Sequence, residues 1–124
     1  MKVKIDTKEK FHVIKIEEPF LAANMTENME ELFLPFLENP VKNLVVNLQD
    51  IEHIDNAAAE SLVKIQQTFY DNNNSFVLCE LQAEVESYLD SVGLLEVMNY
   101  TPTETEGWDI VQMEEIEREL LGDL

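Results

Sequence analysis

The segment from Leu44 to Leu62 constrains the fold of this chain more than any other. It opens with Leu44-Val45-Val46-Asn47-Leu48, a short apolar run that reads as a central strand buried on both faces. A connector runs through Gln49-Asp50-Ile51-Glu52-His53-Ile54 to Asp55, and a helix starts near Asn56. Ala58, Leu62, Ile65 and Phe69 then recur at helical spacing. Asp55 stands where an N-cap belongs, because its carboxylate can accept from backbone N–H groups that lack partners inside the helix. The same N–H groups carry partial positive charge, so a strand-to-helix junction also suits a phosphate and can serve as a switch.

The rest of the chain builds around that unit. Val3 and Ile5 alternate with Lys2, Lys4 and Asp6 as a half-buried strand. Lys8-Glu9-Lys10 reads as a turn into a second strand over Phe11, Val13, Ile14 and Ile16, which Glu17-Glu18-Pro19 ends. Met25, Met29, Leu32 and Phe36 predict a helix over 24–38, capped by Asn24 and broken near Leu34 by Pro35. Asp71-Asn72-Asn73-Asn74 closes the helix after Asp55, and Phe76 to Cys79 forms the next strand. Leu81, Val85, Leu89 and Val92 mark a third helix, with Gly93 as its C-terminal stop. A short strand is expected at Val97–Tyr100. An acidic helix follows at about 109–121, with Ile110, Met113, Ile116 and Leu120 turned inward and Trp108 in the core.

This order of elements predicts a single α/β domain over residues 1–124. Strand–helix–strand alternation gives parallel pairing through right-handed crossovers, and the initial hairpin adds an antiparallel edge. The expected architecture is one mixed sheet of four to five strands with helices mainly on one face.

Charge narrows the partners. The chain has 8 basic and 26 acidic residues, a net charge of −18, and the excess is uneven. Residues 1–64 hold 7 basic and 12 acidic side chains; residues 65–124 hold 14 acidic ones and a single cation, Arg118. Such a surface repels nucleic acid and anionic bilayers and steers in a basic protein face. No apolar run approaches the length of a membrane span and no charged-then-apolar leader opens the chain, so direct membrane insertion is not expected and the cytoplasm is the expected compartment.

Catalytic groups do not assemble in the sequence. His53 and Asp55 lie two apart, too few for a metal site, and His12 falls in a strand. The serines lack a nucleophile elbow, and Gly93, Gly107 and Gly122 are isolated rather than part of a phosphate loop. Cys79 reads as a buried strand thiol. No catalytic residue, cofactor or metal is expected.

Ile54-Asp55-Asn56-Ala57-Ala58, with Leu62 following, resembles the motif of the STAS domain family, the fold of anti-sigma factor antagonists. Leu21-Ala22-Ala23-Asn24 resembles that family's opening of the first helix. Ser75-Phe76-Val77-Leu78 resembles its fourth strand, and Val85 through Leu95, with Val92-Gly93-Leu94-Leu95, its third helix. Three positions depart from the pattern. Asn56 replaces the phosphoacceptor serine, Ala58 the usual glycine, and Leu21 the aspartate before the first helix.

The resemblance implies a non-enzymatic regulator of transcription. Unphosphorylated antagonists bind a serine kinase/anti-sigma factor and free the sigma factor; phosphorylation breaks the complex. Asn56 is neutral and lacks a hydroxyl, so it corresponds to a binding-competent state without the switch. The expected partner surface comprises His53, Asp55, Asn56, Ala57, Ala59 and Glu60, with Asp55 orienting the loop and Glu60 supplying charge. The alternatives are an accessory subunit of a membrane transport complex and a sensor of a nucleotide or lipid held near the same loop.

Overall fold

The computed structural model describes residues 1–122. Its strands are β1 (Val3–Thr7), β2 (Phe11–Ile16), β3 (Phe20–Leu21), β4 (Asn43–Asn47), β5 (His53–Ile54), β6 (Phe76–Cys79) and β7 (Tyr100–Thr101). Its α-helices are α1 (Thr26–Phe33), α2 (Asn56–Asp71), α3 (Ala83–Ser91) and α4 (Glu104–Gly122). The main sheet is mixed, in the order β1-β2-β4-β6-β7, with β1 antiparallel to β2 and the other pairs parallel. A separate two-residue ladder joins β3 to β5, pairing Phe20 with His53 and Leu21 with Ile54.

Strand β4 is buried along its whole length, as its continuous apolar run requires. Its alternate side chains feed two cores. Leu44 and Val46 join Ile14, Phe76 and Leu78 beneath α1, α2 and α3. Val45 joins Phe11, Val13, Val77 and Cys79 beneath α4, which contributes Val111. Three helices thus cover one face and α4 alone covers the other. Phe76 anchors the larger core, with its ring 5.2 Å from Phe33 and 5.1 Å from Phe69. Such aromatic pairs add about 1 kcal/mol each beyond the area they bury. Strand β1, by contrast, has no fully buried residue.

Several boundaries differ from the sequence expectation. The first helix is α-helical only to Phe33; Leu34–Glu38 tightens into a 3-10 turn with Pro35 in its first turn, where a missing N–H costs nothing. Asn24 does not cap that helix. It lies within a preceding 3-10 turn, Ala23–Met25, and Met25 takes the cap position without a side-chain bond. Gly93 follows α3 at φ +76, the left-handed conformation expected of a stop, but Val92 is exposed because α3 ends at Ser91. The last strand begins at Tyr100 rather than Val97. The Gln66 side chain brackets the backbone of Asn99, with Oε1 accepting its N–H at 2.9 Å and Nε2 donating to its carbonyl at 3.0 Å.

The largest departure is α4. It starts at Glu104, five residues earlier than expected, and it is turned the other way. Gly107 and Val111 face the sheet, while Met113, Ile116 and Leu120 face away and Ile110 and Trp108 are only partly covered. Two things select this orientation. At Gly107 the helix backbone comes so close that an added Cβ would lie 3.2 Å from Val45 Cγ1 and 3.3 Å from Thr101 Oγ1. Beyond Val111 the docking is polar. Asn43 Nδ2 donates to Glu115 Oε2 at 2.9 Å, and Arg118 donates to Asn43 Oδ1, Ser75 Oγ and Glu115 Oε2 at 3.0–3.1 Å. Tyr70 on α2 donates to Glu114 Oε1 at 2.8 Å. Buried polar groups at the sheet ends need these partners, and Met or Ile could not supply them.

Candidate functional site

Asp55 is the structural centre of the β5–α2 junction. Its extended backbone leaves the sheet, and its side chain caps α2. Oδ1 accepts the Ala58 N–H at 2.9 Å, and Oδ2 accepts the Ala23 N–H at 2.8 Å. The Asp55 N–H itself donates to the Leu21 carbonyl at 3.0 Å. One carboxylate therefore ties the start of α2 to the segment after β3. Both of its oxygens are engaged, which suits an orienting role better than proton transfer.

Asn56 is the first residue of α2 and is exposed. Its Nδ2 donates to Glu60 Oε1 at 2.8 Å, one helical turn on. That bond holds the amide along the helix and keeps a carboxylate beside it. Ala57 is exposed. Ala59, expected to face a partner, is buried in the larger core. Its position follows from helical period: the inward stripe of Ala58, Leu62, Ile65 and Phe69 is wide enough to take Ala59, Val63 and Gln66 as well. Ala58, at the position where the resemblance has glycine, is buried in the larger core, and its N–H donates to Asp55. Ser61 is also buried, with an unpartnered Oγ, so residues 53–61 present no accessible hydroxyl.

His53 is exposed and stacks on Phe20, with ring centroids 5.4 Å apart and planes 8° from parallel. Sequence reasoning missed Phe20, a residue 53% exposed. The β3–β5 ladder that brings it to His53 spans 33 residues of sequence and only two pairs, too few to carry a periodic signal. Phe20, Leu21, Ala22, His53, Ile54 and Asp55 line a shallow, mainly apolar hollow of about 270 Å³ beside Asn56. Next to it, Glu17, Glu18, Asp50 and Glu52 line a second hollow and leave it net negative, with Lys15 3.7 Å from Asp50 offsetting one of the four. The junction thus presents an aromatic patch, an amide and an acidic border.

Other reactive groups stand apart from it. Cys79 is buried under α4, and burial, with Glu104 and Glu80 nearby, pushes its thiol up to about 12. His12 is buried between the Thr7 hydroxyl and the Val41 carbonyl. Among the described residues, no group of three or more His, Cys, Asp or Glu side chains is placed to hold a metal ion. No helix among them is long and apolar enough to cross a membrane.

The chain resembles several solved structures. A proposed anti-sigma factor antagonist from Thermotoga maritima is 19% identical with a TM-score of 0.73, over 89% of this chain and 94% of that one. An RsbS protein from Moorella thermoacetica is 25% identical with a TM-score of 0.73, over 90% of this chain and 96% of that one. Part of the murine Slc26a9 anion transporter is 13% identical with a TM-score of 0.71, over 84% of this chain but only 18% of the transporter. None of the curated proteins matches at significant similarity. The STAS domain model matches residues 2–107, which takes in the sheet, the Asp55 junction and the first turn of α4. With that match laid over this five-stranded sheet and its capped strand-to-helix junction, the chain belongs to the STAS domain family.

Proposed function

We propose that this chain is a non-enzymatic, protein-binding regulatory domain that works as an anti-sigma factor antagonist does, but without a serine switch at residue 56. The surface around His53, Asp55, Asn56, Ala57 and Glu60 docks the partner, with Phe20 extending it. The partner is a protein with a basic face, of the serine kinase/anti-sigma factor type, since the junction is bordered by Glu17, Glu18, Asp50 and Glu52. One observation carries this reading. Asn56 occupies the exposed first position of α2, with its amide fixed by Glu60, at the point where the family's motif has a hydroxyl. A neutral side chain there keeps the docking surface permanently competent.

The test is capture by the kinase/anti-sigma factor of the same host, with and without ATP. The wild-type chain is expected to bind equally in both conditions. Asn56→Ser is expected to bind without ATP and to be released with it, carrying phosphate on residue 56. Asn56→Glu should weaken capture about tenfold or more, because it buries an unpaired carboxylate in the contact beside Glu60, at the position where the resemblance implies that a phosphate breaks the complex. ATP-dependent release of the wild-type chain with phosphate mapped to residues 53–61 would refute the unswitched reading. Unchanged capture of Asn56→Glu would move the contact elsewhere.

A second reading is a docking subunit of a membrane transport complex. It draws on the likeness to the part of Slc26a9 that the chain matches. Co-purification with a transporter rather than a kinase would favour it.

A further inference from the structure

Helix α4 carries an apolar stripe that the domain does not use. Met113 and Ile116 are each 56% exposed, Leu120 65% and Leu121 68%. Met113, Ile116 and Leu120 are spaced three and four residues apart, so they share one face. That face lies opposite Gly107 and Val111, which meet the sheet. The fold has no further need of the stripe, because the distal half of α4 is already held by Arg118, Glu115 and Glu114 through Asn43, Ser75 and Tyr70. The family match ends at residue 107, before the stripe begins.

Charge selects the occupant. Glu106, Asp109 and Glu117 are exposed on the same side of the helix as the stripe. Arg118, the one cation after Lys64, is turned inward. Lys8 and Lys10 reach only the flank, at Trp108 and Glu119. A second copy of this face would set its carboxylates against their duplicates, and an anionic bilayer would be repelled. A helix with apolar anchors flanked by Lys or Arg satisfies both features, because its anchors can interleave with Met113, Ile116 and Leu120 while its cations meet the bordering carboxylates.

We infer that the outer face of α4 is a docking surface for a basic amphipathic helix of a partner protein. The surface lies across the sheet from α1–α3 and so is separate from the Asn56 junction, and it holds whether or not that junction works as proposed. The domain then joins two proteins, one at each face.

The probe is a fluorescent peptide of about 18 residues, with Leu at positions i, i+4, i+7 and i+11 and Lys or Arg on the flanks. Its control replaces the cations with Glu. Anisotropy with the full chain at about 0.15 M salt should show saturable, micromolar binding of the basic peptide and none of the acidic one. The Ile116→Glu/Leu120→Glu variant should weaken binding about tenfold or more while leaving the unfolding midpoint unchanged. This variant discriminates sharply, because charge attraction alone would make it bind more tightly. Asp109→Lys/Glu117→Lys should also weaken binding, and Asn56→Glu should not.

Lack of saturation at about 1 mM peptide, or equal binding by the Ile116→Glu/Leu120→Glu variant, would overturn the proposal. So would a dimer in sedimentation that the same variant dissociates, since a second copy would then be the occupant. Adsorption to phosphatidylglycerol vesicles that this variant abolishes would assign the face to a bilayer instead.

Discussion

Replacing Asp55 tests the architecture of the junction most directly. Asp55→Ala removes two bonds at once, the N-cap to Ala58 and the tie to Ala23. Loss of an N-cap costs about 1 kcal/mol. The second bond joins a carboxylate to a backbone N–H at an exposed site, and its loss costs about 1 kcal/mol more. The expected total is about 2 kcal/mol in urea-induced unfolding, or roughly 8 °C in Tm for a domain of this size. Asp55→Asn keeps one acceptor oxygen, so it should lose about half as much. Amide exchange can locate the effect. Asp55→Ala should speed exchange at both Ala23 and Ala58, whereas Asp55→Asn should release only one of them. A loss below about 0.5 kcal/mol for Asp55→Ala, or an Ala23 amide that stays protected, would refute the clamp.

Three further outcomes follow from the packing. Gly107→Leu should destabilise by about 2 kcal/mol through crowding against Val45 and Thr101, while Gly107→Ala stays within about 1 kcal/mol of wild type because better helix propensity offsets a tight contact; equal stabilisation by both would mean α4 is not that close. Asn43→Ala should cost about 3 kcal/mol in chemical unfolding, since it strands the buried Ser75 N–H and the Lys10 carbonyl. Cys79 makes stability fall with alkali: its thiol sits at about 12 in the fold and near 8.5 when unfolded, so its contribution is whole below about pH 8.5 and declines by up to about 1.4 kcal/mol per pH unit above it. Urea titrations of Cys79→Ala should lose that part of the slope, and a slope unchanged by the substitution would contradict the burial.

Sequence pattern was most legible where burial is complete. The runs at β4 and β6 are apolar on both faces because helices cover both sides of the sheet, and the Asp55 cap and the Gly93 stop answer to local backbone chemistry alone. Where tertiary partners decide, the pattern misled. The periodicity of α4 announces an apolar face but carries no sign saying whether that face points in or out. Its direction is set by Asn43 and Ser75 at the strand starts, which demand polar partners from 72 and 43 residues away. Ala59 was misplaced for a smaller reason: alanine suits an exposed and a buried helix position equally, and the width of the buried stripe on α2 decides. Phe20 was missed because its neighbour His53 is distant in sequence and their ladder has two rungs.

Strand β1, with no side chain fully covered, sets where the fold gives way first. β1 can fray from β2 with only the partly buried Val3 leaving the margin of the larger core, so its amides should exchange through small, frequent excursions, while those of β4 and β6 wait for global unfolding. Transient release of β1 would bare one margin of β2, where Lys15 discourages another chain from filling the gap.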